Sequence, residues 1–212
     1  MTTTPGLLLV GAGGLGREAA AAVRATGVDV RLGFLDDAIT AGTEIDGVAV
    51  LGPATADAAA GNPTAQIVVC TASSRDRERR RRLVERLGLP AARYARIVHP
   101  AAILDESVPG PGSIVLAGVV ATTAVTIGAH VVLMPSVVLP HDTVVGDYAV
   151  LASGVALGGG VRVGEGAYLG AGSTVREGCS VGAGAVVGMG AVVLHDVPDG
   201  EVWVGNPARP RR

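Results

Sequence analysis

From Ile127 to Val193 the chain reads IGAHVV LMPSVV LPHDTV VGDYAV LASGVA LGGGVR VGEGAY LGAGST VREGCS VGAGAV VGMGAV V, a six-residue register held without insertion. The first place of each hexad is aliphatic throughout, from Ile127 and Leu133 to Val187 and Val193. The next place is often Gly, as at Gly128, Gly146, Gly164 and Gly182. Four places on stands a small or β-branched residue, such as Val131, Thr143, Ser173 or Ala191. A helical period of about 3.6 cannot generate this beat, and a simple alternating strand has no need of a recurring Gly. One large and one small inward side chain per hexad fits the flat sides of a parallel β-helix. Each coil then hides its apolar residues only by stacking on the next, and Gly is expected to supply the turns between sides. The phase runs back through Ala121, Val115 and Pro109 to Ile103. An all-β parallel β-helix over residues 99–212 follows.

Residues 1–98 keep another rhythm. Apolar runs at Leu7–Val10, Val30–Leu35, Val48–Leu51 and Gln66–Cys70 alternate with helical segments over Arg17–Ala25, Pro53–Ala60 and Arg75–Leu87. Arg93–Val98 makes a last extended stretch before His99 and Pro100. Such alternation predicts a parallel sheet flanked by helices, a Rossmann-like α/β domain.

Composition narrows the function. Aromatics are only 2% of 212 residues, so both cores must be built from Val, Ala, Leu and Ile. A net charge of −2 gives no electrostatic reason to expect nucleic acid or an anionic membrane as partner. Cys70 and Cys179 are too few and too far apart for a disulfide framework or a zinc motif, and read as reduced, buried thiols. Neither a leader pattern at the start nor an apolar run long enough for a membrane helix is present, so a soluble cytoplasmic protein is expected. The run Arg79–Arg82, flanked by Glu78 and Glu85 and followed by Leu83, Val84 and Leu87, reads as a solvated helix face.

Two motifs can carry chemistry. Gly11-Ala12-Gly13-Gly14-Leu15-Gly16 follows a strand and opens a helix, with Asp36 and Asp37 about 20 residues on. Such glycines let a backbone approach phosphates at a helix start, and a carboxylate binds hydroxyls. A nicotinamide dinucleotide, a sugar nucleotide and a purely structural loop all remain open to this motif. His141-Asp142 falls at a corner of the repeat with both side chains pointing away from the coil interior. An imidazole beside a carboxylate suits general-base catalysis near neutral pH. His130 and His195 read as surface residues and His99 as packing at the domain join; His130 and His141 alone make no metal site.

The repeat is similar to that of the hexapeptide-repeat acyltransferases, whose β-helix is left-handed and which usually form homotrimers. The whole layout, from the loop at Gly11 to the closing Val204-Gly205-Asn206-Pro207-Ala208-Arg209, resembles the PglD-like sugar acetyltransferases of the sialic-acid and bacillosamine pathways. That resemblance implies acetyl-CoA as co-substrate, no metal, and a nucleotide-activated sugar acetylated on an amine or hydroxyl. It implies His141 as base, Asp142 as its orienting partner and the Gly159 N–H as oxyanion donor, with the Gly158-Gly159-Gly160 run, equally explicable as turn chemistry, letting a thioester approach. It places acetyl-CoA against Val150, Ala171 and Met189, in a groove between neighbouring β-helices, and the sugar nucleotide against Gly13, Gly14, Leu15, Asp36, Asp37 and Ala72. Arg209, Arg211 and Arg212 read by default as a frayed basic tail, with contact to CoA phosphates as the alternative. The chain departs from the family at Leu15, where His is common, at Val150, where a His often touches the cofactor, and at Met134-Pro135, where Asn-Thr is common near the acceptor. Without those polar groups the acceptor is not defined. A trimeric scaffold that senses a nucleotide is the main alternative, and an oxidoreductase using nicotinamide is another, for which no residues are found.

Overall fold

The computed structural model describes residues 6–211. The opening residues 1–5, weighed above for a leader, and Arg212 of the basic tail lie outside the described residues. The chain divides into two compact units, the first ending at Pro100 and the second beginning at Ala101.

In the first unit β1 (Leu7–Val10), α1 (Gly14–Ala25), β2 (Leu32–Leu35), β3 (Glu44–Ile45), β4 (Val48–Gly52), α2 (Ala56–Ala60), β5 (Gln66–Val69) and α3 (Arg79–Leu87) follow in order. They build one sheet, ordered β3-β4-β2-β1-β5. β1 lies parallel to both neighbours, with Leu9 opposite Phe34 on one side and Val68 on the other. It is buried along its whole length, as a central parallel strand covered on both faces must be. Leu8, Val10, Leu35, Ile67, Val69, Leu83, Leu87 and Tyr94 share one core cluster. β3 and β4 form an antiparallel hairpin whose turn, Asp46-Gly47, has φ of 48° and 75°. α3 starts four residues later than the expected helix, because residues 75–78 stay in the turn after β5. Arg93 is likewise not extended. It ends a short 3-10 turn, Ala91–Arg93, and its guanidinium donates to the carbonyls of Ala65 and Asn62.

The second unit is a β-helix of two-residue strands running from Ile114–Val115 to Val192–Val193. Strands 18 residues apart pair in parallel, as Val132 with Val150 and Val150 with Tyr168, so three hexads make one coil. Every hexad-leading residue from Ile127 to Val193 is buried, as is every residue four places on, including the polar Thr143 and Ser173. At the start the phase breaks down, for Ile103 is 63% exposed. At the end the coil outlasts the repeat: Val202–Val204 adds in parallel beside Val186–Val187, then turns back antiparallel to Arg209–Pro210.

Gly has two duties in this coil, and neither is quite the expected one. At the place after the aliphatic residue its φ is ordinary, and the constraint is close approach to the next coil. A Cβ on Gly164 would stand 2.5 Å from the Ala183 nitrogen. The left-handed turn falls two places later, at residues such as Gly160 (φ 69°), and at Asp142 (φ 60°) it is made by a residue with a side chain.

Candidate active site

His141 and Asp142 share one corner of the coil. The His141 Nδ1 lies 2.8 Å from Asp142 Oδ2, with the two side chains 64% and 69% exposed. Asp142 takes the left-handed turn, which swings its carboxylate back onto the ring of its own neighbour. Gly159 sits one coil further along the same corner, its turn bonded to the first by Gly160 N–H donating to the His141 carbonyl at 2.9 Å. A Cβ on Gly159 would come within 2.4 Å of His141 Nε2 and 2.5 Å of Cε1, so the imidazole rests on a spot that only glycine leaves open. Among the described residues the Gly159 N–H has no hydrogen-bond partner, and it stands beside that ring.

Ala171 and Met189 stack on a different corner, joined by Gly190 N–H donating to the Ala171 carbonyl at 2.9 Å. Met189 is 81% exposed, unusual for so large an apolar side chain. Val150 lies on the sheet face between corners and is buried. Each side of the coil spans six residues at about 3.3 Å each, which separates corners by more than about 10 Å. Within one chain these residues and His141 therefore do not converge.

His130, expected at the surface, is buried, because Gly112 in the preceding coil leaves room for its ring and Tyr148 in the following coil stacks on it at 5.0 Å. His195 stands on the His141 corner three coils along, beside a polar hollow with Arg176 and Glu177. Asp196 next to it caps Ser180 N–H at 2.7 Å. Among the described residues no group of three or more His, Cys, Asp or Glu is placed to hold a metal ion.

A second site lies in the first unit, where sheet order reverses: α1 carries the chain from β1 to β2 on one side, while β5 joins β1 on the other. The loops at the carboxyl ends of β1 and β5 face each other there, the usual place for a ligand in a doubly wound sheet. They enclose a cleft of about 230 Å³ lined by Gly13, Gly14, Leu15, Asp36 and Ala72 and also by Thr71, Asp76 and Arg79. The glycines of the loop differ in what requires them. A Cβ on Gly16 would meet the Gly11 carbonyl oxygen, so Gly16 lets α1 pack on the strand end. Gly13 (φ −74°) and Gly14 have nothing within 4 Å of a Cβ, so neither packing nor backbone geometry accounts for their bareness. The start of α1 has neither a side-chain cap nor an acidic residue in its first turn, which leaves backbone N–H groups pointing at the cleft.

Asp36 holds this loop in shape, its Oδ2 accepting from Ala12 N–H at 2.8 Å and its Oδ1 from Ala38 N–H at 2.9 Å. Asp37 turns elsewhere. Its carboxyl is held below the usual range by a hydrogen bond from Arg86 at 2.8 Å, and it accepts from Ala54 N–H. The run Arg79–Arg82 is only partly the solvated face expected, since Arg80 is buried and donates to the Thr71 carbonyl at 3.0 Å. Cys70, at the floor of the cleft, is a fully buried thiol pushed up to about 12 by burial, so it stays protonated. Thr71, Asp76 and Arg79 were not singled out by motif. The available signal was positional, because they follow the strand that pairs with β1 on the side opposite β2.

Known proteins fit both units. The PglD N-terminal domain matches residues 6–87, and the bacterial transferase hexapeptide (six repeats) matches residues 124–159 and 160–195. No curated protein matches the chain. Among solved structures, the acetyltransferase domain of PglB from Neisseria gonorrhoeae FA1090, in complex with acetyl coenzyme A, is 29% identical with a TM-score of 0.85, over 99% of this chain and 100% of that one. A histidine-to-asparagine mutant of perosamine N-acetyltransferase from Caulobacter crescentus, in complex with CoA and GDP-perosamine, is 28% identical with a TM-score of 0.88, over 98% and 97%. WeeI from Acinetobacter baumannii AYE is 30% identical with a TM-score of 0.83, over 97% and 99%.

Proposed function

The chain belongs to the PglD-like hexapeptide-repeat sugar acetyltransferases, and on that premise we propose that His141 is the general base in direct acetyl transfer from acetyl-CoA to an amine or hydroxyl of a nucleotide-activated sugar. The observation that carries this reading is the 2.8 Å contact between His141 Nδ1 and Asp142. A carboxylate on Nδ1 keeps the proton there and leaves the Nε2 lone pair free to accept one. The acceptor gives its proton to Nε2 as its nitrogen or oxygen forms a bond to the thioester carbon. The carbonyl becomes an oxyanion, for which the unpartnered Gly159 N–H is the available donor. The C–S bond then breaks, and CoA leaves as the thiol once the proton on His141 passes to sulfur. No enzyme-bound acyl group is needed.

Acetyl-CoA is assigned to the corner of Ala171 and Met189, beside Val150. Because that corner and His141 are far apart in one chain, a complete site takes them from two copies, which makes a homotrimer part of the mechanism. Outward-facing Val120, Val138, Ala156 and Val192 on one sheet of the coil, with Val138 exposed, offer apolar surface for such an assembly. The cleft of Gly13, Gly14, Leu15, Asp36 and Ala72 is assigned to the phosphates and nucleoside of the acceptor. The bare Gly13 and Gly14 support this, since a ligand that approaches the backbone is what would require them. Asp37, occupied by Arg86, is assigned the outer part of that site at most. Both cysteines are buried and unpaired, which suits the reducing cytoplasm we assign to the protein.

Steady-state acetylation of a panel of UDP-, GDP- and dTDP-amino sugars, followed by CoA thiol release, tests the assignment. His141→Ala is expected to lower kcat by about 10²–10⁴-fold. Its melting temperature should not change, because the ring is exposed. Full transfer by His141→Ala would sink the proposal.

A further inference from the structure

Helix α3 carries five arginines, Arg79–Arg82 and Arg86, and four of them are engaged. Arg80 is buried against the Thr71 carbonyl, Arg81 pairs with Glu78, Arg82 with Asp76 and Arg86 with Asp37. Arg79 is exposed, and among the described residues its side chain has no hydrogen bond or ion pair. It is also the arginine of this helix that lines the cleft with Gly13, Gly14 and Leu15. The nearby carboxylates spend their hydrogen bonds on other groups: Asp37 on Arg86, although the charge of Arg79 also acts on it, Asp76 on Arg82, and Asp36 on the N–H groups of Ala12 and Ala38.

A guanidinium with no ion pair of its own among the described residues therefore faces the uncapped start of α1 across a small cleft. The two prongs suit two phosphoryl groups, with backbone N–H groups on one and a planar fork of donors on the other. Thr71 adds to the same wall a hydroxyl oxygen that is buried and unpartnered among the described residues. A buried polar atom without a partner is rare enough in folded proteins to call for one. The loop itself brings no polar side chain at Leu15, so a second anion-binding group has to come from the opposite wall.

We propose that Arg79 binds the diphosphate of the nucleotide-activated acceptor and makes the site selective for diphosphates over monophosphates. This rests on the assignment of the cleft to the acceptor nucleotide. The test is calorimetric titration of the full chain with UDP, UMP, GDP and GMP, for wild type, Arg79→Ala, Arg79→Lys and Arg81→Ala. Wild type is expected to bind at least one diphosphate more tightly than its monophosphate. Arg79→Ala should lose about tenfold or more in diphosphate affinity and most of that preference, and Arg79→Lys should recover part of both. Arg81→Ala removes the same charge from the same helix and should change neither. The KM for acetyl-CoA should be equal in all four proteins. If wild type prefers the diphosphate and Arg79→Ala retains both affinity and preference, Arg79 has no such role while the cleft keeps its assignment. If wild type binds neither UDP nor GDP, the cleft assignment and the proposal fall together.

Discussion

From residue 124 to 148 the corners of the coil pass through the left-handed region on residues with side chains, Ala124, His130, Ser136, Asp142 and Tyr148, at φ between 55° and 62°. From 154 to 190 the same place in the repeat is Gly seven times running, at φ between 61° and 70°. The backbone demand is the same in both stretches, so the difference lies in what each corner carries. A side chain there costs about 1–2 kcal/mol for an ordinary residue, and less for Asp, whose short polar group bonds locally. The earlier stretch accepts that cost at Asp142, which holds His141, and at His130 and Tyr148, which stack on one another. The later stretch holds the corner of Ala171 and Met189, the one proposed for the acyl donor, with no such outlay. Strain of this kind commonly marks functional positions, and here it separates the half of the coil with the proposed base from the half without it.

The largest effect expected tests the other duty of Gly, which both stretches share. Gly110, Gly128, Gly146, Gly164 and Gly182 form one column, and a Cβ on any of them would approach the next coil closer than 3.0 Å. Gly164→Ala should destabilise the coil by about 3 kcal/mol or more, because the atoms it meets are backbone and cannot move aside singly. Chemical denaturation measures this, and a loss below about 1 kcal/mol would mean the coils separate more readily than their ladder suggests.

This column also shows how far the sequence could be read. The six-residue beat located the coil, its inward residues and the corner of His141, because burial and period are both visible in residue type. It could not tell a Gly needed for φ from one needed for contact, since either is simply Gly until residues 18 apart are stacked. The parallel sheet of the first unit was legible in the same way, and Asp46-Gly47 is a readable hairpin turn. What stayed illegible were contacts set by tertiary distance. Arg80 looks like Arg81 and Arg82 in a charged run, yet it is buried beneath the Thr71 turn. Asp37 looks like Asp36 until Arg86, 49 residues away, takes it from the cleft. His130 became buried through residues 18 positions to either side, Gly112 and Tyr148.

A smaller effect probes the strained stretch at its functional point. Asp142→Gly keeps the corner conformation and removes the carboxylate, whereas Asp142→Asn keeps a side chain that can still bond to the ring. The Gly variant should lose at least about tenfold in kcat, with the Asn variant between it and wild type. Its stability should be unchanged or higher by up to about 1 kcal/mol. Lower activity together with equal or greater stability is the signature of a residue kept for function. A Gly variant that loses stability as well would make Asp142 a structural residue and undo the contrast between the stretches.

In the later stretch the same place can be burdened. Gly172 has φ of 66° and nothing within 4 Å of a Cβ, so Gly172→Ala introduces the left-handed penalty and no clash. A loss of about 1 kcal/mol is expected, well under that of Gly164→Ala. Equal losses for the two would mean that turn conformation and coil contact are not separable.

The smallest effect belongs to Ala124, which is exposed, carries no polar group and stands on the same corner as Asp142 and Gly160. Nothing in the structure explains a side chain there. Ala124→Gly relieves about 1 kcal/mol of left-handed strain but restores about 0.4–1 kcal/mol of freedom to the unfolded chain. The net change should therefore be a gain of no more than a few tenths of a kcal/mol, resolvable only against Asp142→Gly in the same denaturation series. Acetyl transfer should be untouched. A fall in kcat would instead show that Ala124 shapes the approach to His141 from the coil before it, and the strained stretch would then be functional along its whole corner.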